Sequence, residues 1–98
     1  MKFAVRFRKE VPDDIAEACR WYEERKCRLG QQFIAKVKET LARVAQSPTA
    51  YASGARGVRS ARLRRFPYIV HYRFTGQEVV VLAVMYGGRD SSAWEARV

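Results

Sequence analysis

The chain has 98 residues, enough for one hydrophobic core and too few for two, so multidomain enzymes and repeat arrays are excluded. Its 48% hydrophobic and 12% aromatic residues exclude a wholly disordered chain. Nineteen lysines and arginines against ten acidic residues give a net charge of +9, which predicts attraction to nucleic acid, an acidic protein surface or anionic lipid. We therefore expect a single domain over residues 1–98.

The first third of the chain predicts a strand and a helix. Phe3, Val5 and Phe7 alternate with small or charged residues, the period of a strand with one buried face. Pro12 then opens a helix, because proline fits the first helical position and the two aspartates after it complement the positive end of the helix dipole. We expect this helix to end near Lys26.

A second helix should follow after a short turn. Leu29-Gly30 predicts the break between the two helices, and Ser47-Pro48 the end of the second one. Its apolar face is formed by Phe33, Val37, Leu41, Val44 and Ala45. Helices joined by so short a turn should be antiparallel neighbours.

The second half of the chain predicts three strands after a loop over residues 49–57. Residues 59–66 form a basic strand candidate, and residues 68–74 alternate in the manner of a half-buried strand. Pro67 marks a turn or bulge between them, and residues 75–77 form a hairpin turn. Residues 79–85 are apolar throughout, which is typical of a central strand covered on both faces.

This order of elements predicts an α+β fold, β-α-α-β-β-β, in which an antiparallel helical hairpin packs on one face of a small sheet. The N-terminal strand joins a three-stranded antiparallel meander in this sheet. The segment after residue 86 should be a turn and a short tail, with Trp94 anchoring the tail.

Several features predict a cytoplasmic chain without a membrane anchor. The first apolar stretch is three residues long, too short for a signal peptide, and the longest apolar run has eight residues where a membrane-spanning helix needs about 20. Cys19 and Cys27 lie eight residues apart in predicted helix, about 12 Å between Cα atoms, too far for a disulfide. With one histidine and no CxxC spacing, we expect no metal and no cofactor.

The clearest candidate for function is a run of arginines. No acidic residue lies between Glu39 and Glu78, while six arginines follow Pro48 in that stretch. The planar guanidinium suits bidentate capture of carboxylate or phosphate. A solvated edge that discourages aggregation is the alternative, but edge protection does not require the removal of every acid. The candidate binding residues are Arg59, Arg62, Arg64, Arg65 and Arg73, with Arg89 and Trp94 from the C-terminal segment.

Signals for catalysis are weak. His71 is the only side chain that titrates near neutrality without help, but on a strand among aromatic residues it is more typical of packing than of catalysis. Tyr68, Tyr72 and Tyr86 could stack on bases, although tyrosines at alternate strand positions usually belong to the core. No nucleophile triad, phosphate-binding glycine loop or carboxylate pair occurs. An enzyme with these residues would be a metal-independent endoribonuclease.

Four strings of residues, taken together, resemble the ParE branch of the RelE/ParE superfamily of toxin–antitoxin toxins, in order and spacing over almost the whole chain. They are Trp21-Tyr22-Glu23, Leu29-Gly30-Gln31-Gln32-Phe33, Arg62-Leu63-Arg64-Arg65-Phe66-Pro67-Tyr68, and Val81-Leu82-Ala83-Val84 leading into Arg89-Asp90 and Trp94. The resemblance implies two helices packed on a curved antiparallel sheet. It also implies a complex with a cognate antitoxin, whose acidic, partly disordered segment folds over the toxin.

The superfamily that the chain resembles includes members with two different activities. RelE-type members cleave mRNA on the ribosome, often with an arginine directly after a tyrosine on the middle strand of the meander. ParE-type members are described as poisons of DNA gyrase. Here Ile69 follows Tyr68, which favours the gyrase branch. Many ParE-like chains have His-x-x-Arg-Asp-Pro after the last strand, and this one has Tyr86-Gly87-Gly88-Arg89-Asp90-Ser91.

Three hypotheses follow. The favoured one is a non-enzymatic toxin that inhibits gyrase and is held inactive by its antitoxin. The alternative is a ribosome-dependent mRNA endonuclease of the RelE type, with candidate catalytic residues Arg62, Arg65, His71, Tyr86 and Arg89. The third, a module that binds nucleic acid directly, is not favoured.

Overall fold

The chain folds in the predicted order of strand, two helices and three strands, with a short helix added at the C-terminus. A computed structural model describes residues 2–98. Its elements are β1 (Ala4–Phe7), α1 (Val11–Arg25), α2 (Leu29–Gln46), β2 (Arg59–Arg62), β3 (Tyr68–Phe74), β4 (Glu78–Tyr86) and α3 (Ser92–Glu95). The strands form one sheet in the order β1-β4-β3-β2, with β1 parallel to β4 and the remaining pairs antiparallel. The predicted α+β architecture is confirmed.

Strand β4 lies at the centre of the sheet, as its apolar composition predicts. Val79, Val81 and Val84 belong to the cluster that the two long helices cover. The spacing changes from two to three residues between Val81 and Val84 because the register with β3 shifts there. Ala83 and Met85 are buried as well, so both faces of β4 are covered.

Tyr72 ties the core to the loop that follows α2. Its side chain is fully buried in the core cluster that also contains Phe33 and Val44, and its hydroxyl donates a 2.6 Å hydrogen bond to the carbonyl oxygen of Pro48. Burial raises the pKa of Tyr72 to about 12. The hydroxyl is therefore a structural donor, and the core expectation for this tyrosine is met.

The turn between the helices differs from the prediction. Leu29 and Gly30 do not break the helices; they are the first two residues of α2, and Arg28 before them takes the left-handed conformation, with φ of 72°. The Glu23 carboxylate of α1 accepts hydrogen bonds from the backbone N–H groups of Arg28 and Gly30, both at 2.9 Å. A Cβ atom on Gly30 would lie 2.7 Å from the carbonyl oxygen of Cys19. The glycine thus permits close packing of the helices and does not end one.

Two strands depart from their predicted form. Strand β2 ends at Arg62 and not at residue 66, because the chain turns at Arg65, with φ of 72°, while Leu63 and Phe66 enter the core. Phe7, predicted to be buried with its alternate neighbours, is 46% exposed at the end of edge strand β1. Cys27 lies in the turn after α1 and not within a helix, and both cysteines are free.

Candidate functional site

Two of the predicted binding arginines form bonds within the molecule. Arg59 is half-buried and donates a hydrogen bond to the carbonyl oxygen of Tyr51. Arg64 pairs with Glu39 of α2 at 3.2 Å, although its own side chain remains 65% exposed. These contacts give Arg59 a structural role in holding the loop before β2, and give Arg64 a partner in exposed surroundings.

Arg62, Arg64, Arg65 and Arg89 belong to segments that lie at one end of the sheet. The N–H of Leu63 donates to the carbonyl oxygen of Tyr68, and that of Gly87 to Pro67, so the end of β2, the β2–β3 turn and the end of β4 are neighbours. We call Arg62, Arg64, Arg65 and Arg89 the arginine end. In residues 2–98, none of Arg62, Arg65 and Arg89 has an acidic partner, and all three are exposed.

Arg73 lies away from the arginine end. It is exposed in β3, opposite Val80 of β4. Five residues of strand separate it from Tyr68 at the arginine end, which corresponds to about 17 Å. A ligand that contacts both regions must therefore extend along the sheet.

His71 and Trp94 form a packed pair. The two rings stack at a centroid distance of 5.2 Å and an interplanar angle of 25°, and Nδ1 of His71 lies 3.2 Å from the Ser60 hydroxyl. Burial lowers the pKa of His71 from its ordinary value, since the charged imidazolium loses hydration there. Trp94 thus covers the histidine and docks the tail against the sheet.

Tyr86 and Arg89 line a cavity of about 520 Å³ between α1 and the ends of β3 and β4. This cavity lies on the face of the sheet opposite to the His71–Trp94 pair. Tyr86 is 51% exposed, contrary to the expectation that it belongs to the core. Its neighbours in the cavity include Trp21 and Glu17, neither of which sequence analysis proposed as a site residue. Their spacing of four residues on an amphipathic helix was the available signal, since it places both on one face.

A second, almost wholly apolar groove of about 700 Å³ runs along the other flank of α1. Phe7, Val11, Ile15 and Ile34 contribute to its walls. Phe7, which sequence analysis expected to be buried, is exposed because it forms part of the wall of this groove.

No helix in residues 2–98 is long and apolar enough to cross a membrane.

Comparison with known proteins agrees with this fold. A solved structure from the chromosomal ParDE toxin–antitoxin system of P. aeruginosa superposes with a TM-score of 0.70 at 18% sequence identity, covering 87% of this chain and 96% of that chain. At this identity the likeness concerns the fold. It matches the helical hairpin and sheet described above.

Sequence comparison defines the family. Residues 5–91 match the ParE toxins of type II toxin–antitoxin systems (parDE). Toxin ParE2 of Mycobacterium tuberculosis, in strains CDC 1551 / Oshkosh and ATCC 25618 / H37Rv, is 33% identical over 98 residues, which cover 96% of this chain and 90% of the relative. The chain belongs to the ParE toxin family of type II toxin–antitoxin systems, and the resemblance seen in its sequence is confirmed.

Proposed function

We propose that this toxin acts in the cytoplasm by inhibiting DNA gyrase and is neutralised by a cognate antitoxin with an acidic, partly disordered segment. Membership of the ParE family supports the toxin role and implies an antitoxin partner. The free state of both cysteines is compatible with a reducing compartment.

The observation that carries the gyrase proposal over the endonuclease alternative is the separation of the candidate catalytic residues. General acid–base catalysis requires groups within hydrogen-bond reach of one reacting centre. His71 lies beneath Trp94, whereas Tyr86 lines the cavity beside α1. Ile69, which follows Tyr68, offers neither a charge nor a proton. These positions favour a toxin that acts by binding.

The arginine end is the surface we propose for the acidic antitoxin segment. Arg62, Arg65 and Arg89 are exposed cations with no acidic partner in residues 2–98. Each guanidinium can receive a carboxylate through two parallel hydrogen bonds, which are stronger than neutral ones. Arg73 extends the surface along β3, and Trp94 on the tail stacks on His71 of the same strand. An extended acidic segment fits the separation between the arginine end and Arg73 better than a compact ligand does.

A supercoiling assay tests the proposed target. Purified toxin, added to gyrase and relaxed plasmid with ATP, should block supercoiling or accumulate cleaved DNA, and prior addition of the antitoxin should restore activity. A toxin variant with the exposed Lys38→Glu substitution on α2, outside the surface proposed for the antitoxin, serves as a control that the antitoxin should still neutralise. It should inhibit as the parent does.

Two results would contradict the gyrase proposal. One is full supercoiling activity with a micromolar excess of toxin. The other is the appearance of discrete cuts in translated messages, detected by primer extension after induction of the toxin, since this would assign the chain to the endonuclease class.

A further inference from the structure

The cavity between α1 and the ends of β3 and β4 has aromatic walls that are partly open to solvent. Trp21, Tyr22, Tyr68 and Tyr86 line it, and the ring centroids of Tyr68 and Tyr86 lie 6.2 Å apart. Trp21 is 48% exposed and Tyr86 51% exposed, so the largest aromatic surfaces face the opening and not the core. Its volume of about 520 Å³ is within the range of small-molecule sites, about 300–1,000 Å³.

Polar groups of both signs converge on the same space. Burial raises the pKa of the Tyr68 hydroxyl, the nearby Glu17 carboxylate raises it further, and Arg89 acts in the opposite direction. The phenols of Tyr68 and Tyr86 in turn contribute, after burial, to raising the pKa of Tyr22. One carboxylate, one guanidinium and three phenols therefore line the same cavity.

The free charges of the cavity are Glu17 and Arg89. Asp14 also lines it, but its carboxylate is held by Arg97 at 2.6 Å and by the backbone N–H of Val84. In residues 2–98, neither Glu17 nor Arg89 forms a salt bridge. A ligand for this site thus needs an aromatic or flat apolar body, a donor group for Glu17 and a negative group for Arg89.

The two opposite charges make three classes of ligand fit this cavity to different extents. A cationic side chain would suit Glu17 and the aromatic faces but would be repelled by Arg89. An acidic peptide would suit Arg89 but would be repelled by Glu17. A nucleotide satisfies both, because its base carries N–H donors and its phosphate is an anion, and bases stack on aromatic side chains.

We propose that this cavity binds an unstacked guanine nucleotide, with the base stacked on Tyr86, its donor edge on Glu17 and its phosphate on Arg89. Guanine fits best because its adjacent N1–H and N2–H groups match the two oxygens of a carboxylate. Arg25, stacked 3.4 Å above the Trp21 ring, adds positive charge beside the opening. The site goes beyond the proposed inhibition of gyrase and does not depend on it.

Fluorescence anisotropy with short labelled oligonucleotides tests this site. The probes are a thymidine hexamer with one central guanine, the all-thymidine hexamer, and the guanine hexamer as RNA, with unlabelled GMP as competitor. The parent toxin should bind the guanine hexamer more tightly than the all-thymidine one. Competition by GMP would identify a mononucleotide site, and preferential binding of the guanine hexamer without such competition a strand site; both results support the proposal.

Variants separate the cavity from general attraction to a basic protein. Tyr86→Ala should weaken binding of the guanine hexamer by about 5- to 150-fold, the usual contribution of one stacked base. Phe7→Ala is the matched control, since Phe7 is exposed to a similar extent on the other flank of α1. Arg89→Ala should weaken binding more than Arg20→Ala, which removes the same charge from that other flank. Glu17→Gln should abolish the preference for guanine, so that both hexamers bind with similar affinity.

The proposal is overturned if Tyr86→Ala and Arg89→Ala bind like their controls, because binding would then be a property of net charge alone. It is also overturned if an arginine-rich peptide binds the parent and loses affinity in Tyr86→Ala, while the hexamers are unaffected. A thermal unfolding curve of each variant establishes that the cavity residues were changed in a folded chain.

Discussion

The arginines of this toxin fall into two groups that differ in what surrounds them. Arg97 is partly buried, with 16% of its side chain exposed, and forms a bidentate pair with Asp14 as well as a 3.1 Å bond to the carbonyl oxygen of Leu82. Arg62 and Arg65, at the arginine end, are exposed and have no acidic partner in residues 2–98. The same side chain thus supports the fold in one region and is available to a partner in the other.

The difference teaches that a count of positive charges does not define a binding surface. Asp14 and Arg97 satisfy polar groups of β4 beyond the point where β1 ends: the N–H of Val84 donates to Asp14, and Leu82 accepts from Arg97. Buried backbone groups of this kind are costly to leave unpaired. Removing a bonded arginine should therefore affect stability, and removing a free one should affect binding.

The largest effect on stability is expected from Asp14→Ala. It leaves the Arg97 guanidinium and the Val84 N–H without their acceptor in partly buried surroundings, which should lower the free energy of unfolding by about 3–5 kcal/mol. Urea denaturation measures this change. Asp13→Ala is the control, since Asp13 is exposed in the same first turn of α1. Equal stability of the two variants would show that the buried pair contributes nothing beyond the helix dipole.

A smaller effect is expected from Arg59→Met, which keeps much of the apolar stem and removes the donor to Tyr51. Hydrogen bonds from charged groups contribute about 1.5–3 kcal/mol, and the unfolding free energy should fall by that amount. Arg62→Met on the same strand, where the side chain is exposed, should leave urea denaturation unchanged. Identical losses for both variants would remove the distinction between bonded and free arginines in β2.

The smallest effect is expected from Glu39→Gln. Glu39 pairs with Arg64 and with Lys36 at the surface, and exposed pairs are screened by water and salt. Its urea midpoint should match that of the parent. A clear loss of stability would place Arg64 with the structural arginines and take it out of the arginine end.

Much of the fold could be predicted from the sequence because local pattern and packing agree. The unbroken apolar run of β4 indicated the central strand, and the predicted limits of β3 are those observed. The helix turn was placed wrongly because Glu23 supplies its side-chain acceptor from the preceding helix, and because Gly30 serves a contact with Cys19. Such contacts are not contained in hydrophobic periodicity.

The candidate sites were less accessible to sequence analysis. The arginines were found as a group, but which of them are bonded depends on Tyr51 and Glu39, which lie outside β2 and the turn after it. The cavity combines Trp21 with Tyr86, which are 65 positions apart and come together only when α1 packs on β4. The alternation of apolar and polar residues along a strand also does not distinguish a tyrosine in the core from a tyrosine at the open end of a sheet.

The affinity of the antitoxin for the double variant Arg62→Glu, Arg65→Glu tests the central claim most directly. Calorimetry should show a loss of about 3 kcal/mol or more relative to the parent, because each substitution sets a carboxylate against the acidic segment that we propose for the antitoxin. The control, Arg20→Glu with Lys38→Glu, makes the same change in net charge elsewhere and should retain parental affinity. A loss below about 1 kcal/mol in the Arg62, Arg65 variant, or an equal loss in the control, would contradict the assignment of the arginine end to the antitoxin.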